Sequence, residues 1–175
     1  VGFGSYVQVP FVFAALILKK IVILHEGNAV MGKANKIFWK HIKIRTSAFN
    51  LEKKYTNTVQ VGMPVRDRIL KLYKSKYEPE SKAGIINLLI LGGSQGSKIL
   101  SYNLSKCITK LPLKVKKRIF IFHQVMKEDY LLVKQIYKKN NINFKVVTFF
   151  KNINKYIKKA NLVISRAGSS TIYEN

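Results

Sequence analysis

The sequence contains few acidic residues: 8 Asp and Glu stand against 32 Lys and Arg, which gives a formal net charge of +24. Such an imbalance is typical of proteins that bind nucleic acid or anionic lipid. The lysines, however, are spread over almost every segment, and the only compact basic cluster is residues 114–118 (KVKKR). That cluster lies between a predicted helix and a predicted strand, where a solvated loop is the simpler interpretation. Because no nucleic-acid-binding motif accompanies the charge, nucleic-acid binding is a secondary hypothesis.

Cysteine is almost absent. The single cysteine, Cys107, falls among apolar residues of a predicted helix, which favours a buried thiol in a reducing compartment over a catalytic one. No His, Cys, Asp or Glu cluster has the spacing of metal ligands, so we predict no bound metal. There is also no G-x-S-x-G motif and no Cys/His pair in a supporting context.

Long apolar runs are missing as well. The apolar stretch at residues 9–24 is interrupted by Pro10, Lys19 and Lys20, and each piece is too short to span a bilayer. Even so, 47% of the 175 residues are hydrophobic, which is enough to bury a core in one domain or in parts of two.

Predicted strands and helices alternate along the chain, which indicates an α/β fold with mainly parallel sheets. In such sheets, ligands bind beyond the carboxyl ends of the strands. Residues 75–84 are polar and aperiodic, and we expect them to form a linker. The strands are predicted at 21–24, 42–46, 58–61, 85–91, 118–122, 144–147 and 162–165, and the helices at 10–20, 34–41, 66–74, 96–110, 128–140 and 153–159.

The most informative stretch is residues 85–103, IINLLILGGSQGSKILSYN. It reads as a buried strand, a turn through Gly92 and Gly93, a possible N-cap at Ser94 and then a helix. This arrangement directs backbone N–H groups and the positive helix end at an anion, for which a diphosphate is the best candidate. The loop matches neither G-x-G-x-x-G nor a Walker motif, so an ordinary tight turn is the alternative. A second Gly/Ser-rich turn opens a helix at residues 166–171.

Several polar residues follow predicted strands or helices and are candidates for chemistry. Asn28 suits a hydroxyl-rich ligand. Arg66 suits a phosphate, with an ordinary surface arginine as the alternative. Glu174 suits two ribose hydroxyls, and the alternative is that its charge only stabilises the start of the last helix. His25 and Glu26 are weak candidates for acid/base work, since neighbours on an extended chain point in opposite directions. A structural hydrogen bond from each is the alternative. His123 is a further candidate for a ligand contact.

Five motifs in series resemble the bacterial MurG glycosyltransferase family. They are GFGSYVQVP, LHEGNAVMGKANK, VGMPVR, ILGGSQGSKILSYN and SRAGSSTIYE, and they cover nearly the whole chain. The resemblance implies a GT-B fold, in which two Rossmann-like domains face each other across a cleft. Residues 1–65 would be the later part of the N-terminal, acceptor-side domain. Residues 66–175 would be most of the C-terminal domain that binds the UDP-sugar.

The resemblance also implies an activity, an inverting transfer of N-acetylglucosamine without a cofactor. The donor would be UDP-N-acetylglucosamine. The acceptor would be lipid I, undecaprenyl-diphospho-N-acetylmuramoyl-pentapeptide, and the product lipid II for peptidoglycan. Such an enzyme is peripheral on the cytoplasmic face of the inner membrane. The expected substrate-binding residues are Asn28, Arg66, Ser94, Phe150 (through its backbone), Ser169, Ser170, Thr171 and Glu174.

The chain departs from the family pattern in several places. Gly27 stands where the family usually has Gln, and Lys151 and Asn152 stand where it has acidic residues. The family's glycine-rich loop with its proposed catalytic histidine would precede Val1, and a glutamine-containing donor segment would follow Asn175. The general base is therefore unidentified, and we expect the 175-residue chain alone to be inactive. A truncated remnant that at most binds UDP-sugar is thus an alternative.

Overall fold

The computed structural model describes residues 1–52, 55, 57–73, 84–93 and 97–174. The chain divides into two compact units, Val1–Val65 and Arg66–Asn175. Apart from Gly84, the predicted linker at 75–84 lies outside the described residues.

The first unit is a parallel sheet with helices packed on it. The elements are α1 (Gln8–Ile17), β1 (Ile23–Glu26), α2 (Lys33–Phe38), a 3-10 turn (Trp39–His41), β2 (Ile44–Ser47) and β3 (Val59–Gln60). The strands are in the order β1-β2-β3, and each pairs in parallel with its neighbour. Buried apolar side chains from α1, β1 and α2, including Val12, Leu24 and Phe38, form the core of this unit.

The second unit contains a four-stranded parallel sheet and the helices that connect its strands. Its elements are α3 (Asp67–Tyr73), β4 (Ile86–Leu91), α4 (Leu104–Thr109), α5 (Leu113–Lys116), β5 (Ile119–Gln124), α6 (Tyr130–Lys139), β6 (Asn143–Val147), α7 (Ile153–Lys159), β7 (Leu162–Ser165) and α8 (Ser169–Glu174). The strand order is β6-β5-β4-β7. A π-helical turn, Ile99–Asn103, precedes α4, and a 3-10 turn, Lys127–Asp129, precedes α6.

The central strand β4 is covered on both faces. Leu88 and Ile90 belong to one buried cluster, and Leu89 and Leu91 belong to another. Because successive strand side chains point to opposite faces, an unbroken apolar run is what a strand between two cores requires. Each fully buried side chain of this kind contributes about 1.5–3 kcal/mol to stability. The core therefore fixes β4 and the point at which it ends.

The predicted α/β class with parallel sheets is confirmed, but three local expectations were wrong. Cys107 is exposed rather than buried, because Ser105 and Ile108 take the inward face of α4. Part of the basic cluster at 114–118 forms the short helix α5, which Pro112 precedes with an extended backbone. The strand predicted at 21–24 is β1, which extends through Glu26 because it pairs with β2 as far as Ser47.

Candidate functional site

The two Gly-rich turns leave the second sheet side by side. β4 and β7 are hydrogen-bonded neighbours, and their last residues, Leu91 and Ser165, are paired in register. The turn after β4 begins with Gly92 and Gly93, and the turn after β7 begins with Arg166. The carboxyl edge of a parallel sheet is where ligands bind in α/β folds. The two motifs that the sequence predicts as anion-binding turns are therefore adjacent at that edge.

The first turn depends on Gly93. Its φ is +80°, a conformation that L-residues with side chains adopt only at a cost, although an added Cβ would meet nothing within 4 Å. Backbone conformation, and not space, therefore demands glycine here. Ser94, the predicted N-cap and donor contact, lies with residues 95 and 96 outside the described residues.

The second turn opens α8. The N–H of Gly168 donates to the carbonyl of Arg166 at 2.9 Å, and the carbonyl of Gly168 accepts from Ile172 at 2.9 Å. α8 begins immediately afterwards, so its first turn consists of the three predicted site residues Ser169, Ser170 and Thr171.

Two predicted site residues bind each other. Arg66 donates from Nε to Oε1 of Glu174 at 2.8 Å and from Nη2 to Oε2 at 2.6 Å. This hydrogen-bonded carboxylate raises the pKa of Arg66 above its ordinary value. The sequence marks both residues separately, but nothing in it predicts that they pair, since they are 108 positions apart.

Phe150 contributes its side chain to the core. The residue is 5% exposed, and the centroid of its ring lies 4.4 Å from the centroid of the Tyr156 ring. Phe150 belongs to the cluster that contains Leu89 and Leu91 of β4, and Tyr156 packs against this cluster. The side chain is thus unavailable to a ligand, whereas the contact expected of this residue involves its backbone.

His123 is not the ligand contact that the sequence offered as a possibility. It is fully buried in β5, where Nε2 lies 2.8 Å from the Leu100 carbonyl and Nδ1 lies 2.8 Å from the Tyr137 hydroxyl. Since a carbonyl only accepts, Nε2–H donates to Leu100 and the hydroxyl of Tyr137 donates to Nδ1. Burial lowers the pKa of His123 to about 4, although the hydrogen bond to the Leu100 carbonyl acts in the opposite direction and raises it.

These bonds tie β5 to the segment that follows the first Gly-rich turn. Leu100 lies in the π-helical turn, and its neighbour Ser101, also fully buried, accepts a hydrogen bond from the N–H of Met126 at 3.0 Å. Sequence reasoning missed this network. A histidine near the end of an otherwise apolar strand was the only available signal, and its partners come from other elements.

In the first unit, the carboxylate of Glu26 organises the loop that follows β1. Oε1 accepts from the backbone and side-chain nitrogens of Asn28, and Oε2 accepts from Gly32 N and Asn35 Nδ2, all at 2.9–3.0 Å. Glu26 is 1% exposed, and each oxygen already accepts two bonds. This geometry favours the structural alternative for Glu26 over acid/base chemistry. It also presents the exposed Asn28 on a fixed loop.

His25 is buried beside Glu26 in β1. Its Nδ1 lies 3.0 Å from the hydroxyl of Thr46, and its ring packs against Phe3 with centroids 5.5 Å apart. Nε2 is buried with no hydrogen-bond partner among the described residues. Burial lowers the pKa of His25, with the nearby charge of Glu26 acting in the opposite direction. A neutral imidazole at neutral pH follows.

The departure at Gly27 has a steric counterpart. A Cβ at this position would lie 3.2 Å from the Sδ of Met63. Any larger side chain would therefore require Met63 to move, so the methionine occupies the space beside the glycine.

Two kinds of feature are absent from the described residues. No helix among them is long and apolar enough to cross a membrane. No group of three or more His, Cys, Asp or Glu residues in the described ranges could hold a metal ion.

Comparison with known proteins places this arrangement in a family. The model of the glycosyltransferase family 28 C-terminal domain matches residues 87–175, and that of the family 28 N-terminal domain matches residues 1–46. The crystal structure of Acinetobacter baumannii MurG matches with a TM-score of 0.76 and 29% identity, over 99% of this chain and 48% of that one. This match confirms the predicted GT-B fold class.

Two curated relatives are named UDP-N-acetylglucosamine–N-acetylmuramyl-(pentapeptide) pyrophosphoryl-undecaprenol N-acetylglucosamine transferase. The Phenylobacterium zucineum protein is 33% identical over 99% of this chain and 49% of its own length. The Granulibacter bethesdensis protein is 37% identical over 99% of this chain and 47% of its own length. The chain thus spans about half the length of the curated relatives that it matches. Over that span, both its sequence and its fold assign it to glycosyltransferase family 28, to which it belongs.

Proposed function

We propose that this chain forms the UDP-sugar-binding part of an N-acetylglucosaminyltransferase. The enzyme transfers N-acetylglucosamine from UDP-N-acetylglucosamine to lipid I and produces lipid II for peptidoglycan. The names of its relatives support this donor and this acceptor. In this proposal, residues 66–175 are the donor-binding domain and residues 1–65 belong to the acceptor-side domain.

The observation that carries the proposal is the pairing of Leu91 with Ser165, which brings the two Gly-rich turns together. Turns of this kind present backbone N–H groups at the sheet edge, and such groups bind phosphate oxygens well. A site for a nucleoside diphosphate needs hydrogen-bond donors to the phosphates and, a few ångströms away, hydrogen-bond acceptors for the ribose hydroxyls. The turns supply the donors, and Glu174, at the end of α8, supplies the acceptor.

Each predicted residue then has a role. Ser94 and the first turn of α8, with Ser169, Ser170 and Thr171, hold the diphosphate. The backbone at Phe150 contacts the uracil, and Glu174 contacts the ribose. Arg66 lies beside Glu174. In the first unit, Asn28 suits a hydroxyl-rich ligand.

The chemistry is a single inverting displacement. The acceptor hydroxyl attacks the anomeric carbon, the bond to the diphosphate breaks, and UDP departs with the electron pair. Backbone N–H groups aimed at the developing charge stabilise this step, because they require no reorganisation as the charge forms. The general base is not assigned to any residue of the chain.

Since lipid I resides in a membrane, the enzyme would work at the cytoplasmic face of the inner membrane as a peripheral protein. The excess of lysine and arginine favours contact with anionic lipid, at about 1 kcal/mol for each residue near the surface.

Calorimetric titration at physiological salt tests this proposal against nucleic-acid binding. The chain should bind UDP-N-acetylglucosamine and should show only weak, salt-labile binding to duplex DNA, as any strongly basic protein does. Tight, sequence-specific DNA binding without a response to the nucleotide would contradict the proposal.

A further inference from the structure

The ion pair between Arg66 and Glu174 joins the beginning of the second unit to its last helix. Arg66 is the first residue of the second unit and Glu174 lies in its last helix. The side chain of Arg66 is 59% exposed and that of Glu174 is 17% exposed. Exposed ion pairs usually contribute little, because ordering two long side chains costs entropy and water screens the charges. Two short parallel hydrogen bonds are the exception, since they fix both the distance and the orientation of the carboxylate.

Arg66 approaches Glu174 from an anchored backbone. Its carbonyl accepts hydrogen bonds from Ile69 at 2.8 Å and from Leu70 at 3.1 Å, and it thereby starts α3. The guanidinium thus extends from the beginning of a helix, and its Nε–Nη2 edge faces the carboxylate. That edge is the bidentate fork that arginine otherwise offers to a phosphate.

The bidentate pair leaves the carboxylate able to bind more groups. An ionised carboxylate has about four lone-pair sites, and Arg66 takes one on each oxygen. Each oxygen of Glu174 therefore keeps one further site, which matches two adjacent hydroxyl donors. In addition, the positive charge of Arg66 offsets the negative charge of Glu174. A dianionic diphosphate can therefore bind close by without facing an uncompensated carboxylate.

We propose that Arg66 is a positioning residue for ribose recognition: its guanidinium holds the carboxylate of Glu174 so that both oxygens accept the 2′- and 3′-hydroxyls of the nucleotide. This inference rests on the proposed UDP-sugar site and deepens it. It replaces the phosphate contact that the sequence predicts for Arg66 with a role exerted through Glu174.

The two roles differ in which part of the nucleotide they affect. A residue that orients Glu174 governs the preference for UDP over 2′-deoxy-UDP, which lacks one ribose hydroxyl. A residue that contacts phosphate governs the preference for UDP over uridine, which lacks the diphosphate. A general loss of structure would weaken binding of all three ligands and leave both ratios unchanged.

The test is calorimetric titration of the 175-residue chain and its variants with UDP, 2′-deoxy-UDP and uridine. We expect the unchanged chain to prefer UDP over 2′-deoxy-UDP by roughly tenfold, as the loss of one hydrogen bond to a charged group implies. In Arg66→Met this preference should fall to within about twofold, while the preference over uridine persists. Arg66→Lys should behave similarly, because an ammonium cannot make the two parallel bonds.

Three comparisons complete the design. Glu174→Gln should also remove the ribose preference, and adding Arg66→Met to it should remove nothing further. Lys71→Met deletes one positive charge from an exposed position on α3 and should leave both ratios unchanged. Circular dichroism of each variant checks that it is folded.

The outcomes are separable. If Arg66→Met keeps the ribose preference but loses the preference for UDP over uridine, Arg66 is a phosphate contact and the inference is overturned. It is also overturned if the unchanged chain binds UDP and 2′-deoxy-UDP equally well. If the unchanged chain does not bind UDP at all, the proposed function fails, and this inference fails with it.

Discussion

Two buried polar side chains, those of Glu26 and His123, fix the segments that follow β1 and the first Gly-rich turn. Glu26 gathers four hydrogen bonds from the loop after β1, and His123 joins β5 to the π-helical turn after β4. Such bonds matter because a buried donor or acceptor that loses its partner costs about 1–3 kcal/mol, more than the bond contributes when it is made. Both side chains can therefore be tested by single substitutions.

Glu26→Gln should destabilise the first unit by about 2–3 kcal/mol, because the amide nitrogen of glutamine would face N–H donors of the loop instead of accepting from them. Urea unfolding followed by circular dichroism measures this change. Glu128→Gln, which removes the same charge at an exposed position, is the matched control and should change stability little. Equal effects of the two substitutions would show that Glu26 does not organise the loop.

His123 makes stability depend on pH. The pKa of the folded state, about 4, lies below the ordinary 6.5 of an unfolded histidine. The unfolded chain therefore takes up the proton first, and stability that is complete above pH 6.5 is lost as the pH falls towards 4. The complete loss amounts to about 3 kcal/mol, at 1.36 kcal/mol for each unit of the difference between pKa 6.5 and about 4.

Unfolding at pH 7.5 and pH 4.5 measures this effect in the unchanged chain and in His123→Gln. Glutamine retains a donor for the carbonyl of Leu100 but does not titrate. Because His25 also has a lowered pKa, the informative quantity is the difference between the two proteins. The variant should lose about 2 kcal/mol less stability on acidification. Parallel pH profiles would contradict this account of His123.

At the scale of elements, the two Gly-rich turns differ in what they require of glycine. Gly93 has φ +80°, whereas a Cβ at Gly168 would make ordinary contact, 3.7 Å from the hydroxyl of Thr171. Gly93→Ala should therefore cost about 1–2 kcal/mol, the cost of the left-handed conformation. Gly168→Ala should change the free energy of unfolding by only about a few tenths of a kcal/mol. Thermal unfolding of both variants checks this, and a tolerant position 93 would contradict the geometry described for the turn.

The elements of the second sheet could be predicted because their signals are local. An unbroken apolar run closed by glycine identifies β4, and α7 and β7 have the predicted bounds, Ile153–Lys159 and Leu162–Ser165. The adjacency of β4 and β7 in the sheet depends on strand order, which no local pattern specifies. The π-helical turn escaped prediction for the same reason: the carbonyl of Leu100 bonds to a histidine from another strand.

The candidate site was predictable in part. Motif resemblance identifies Arg66 and Glu174, but their ion pair joins positions 108 residues apart and requires the folded unit. The roles of His25 and Glu26 also depended on burial. Only the structure places both inside a strand, with Glu26 fully hydrogen-bonded and His25 against Thr46. Long-range pairing thus decides what residue identity alone leaves open.

At the scale of the whole molecule, binding and turnover are expected to separate. The curated relatives that carry the transferase name are about twice as long as this chain. Catalysis requires the acceptor hydroxyl to be held and deprotonated beside the sugar carbon, and loss of such positioning removes several kcal/mol of barrier reduction. We therefore expect a polypeptide of residues 1–175 to show no transfer to a lipid I analogue.

A radiolabelled N-acetylglucosamine transfer assay measures this, with a full-length relative as the positive control. Robust turnover by the 175-residue polypeptide would refute the expectation. It would place the general base within this chain, where His25, with its unpartnered Nε2 among the described residues, would be the first residue to substitute.

The adjacent ends of β4 and β7 are the proposed binding site for a uridine diphosphate sugar. The most direct measurement is a ¹⁵N–¹H correlation spectrum of the labelled chain, titrated with UDP-N-acetylglucosamine at physiological salt. We expect the amide shifts to cluster at Gly92, Gly93 and the first turn of α8, and to extend to the Arg66 and Glu174 pair. Shifts scattered over the lysine-rich surface, or none at saturating ligand, would contradict this binding site.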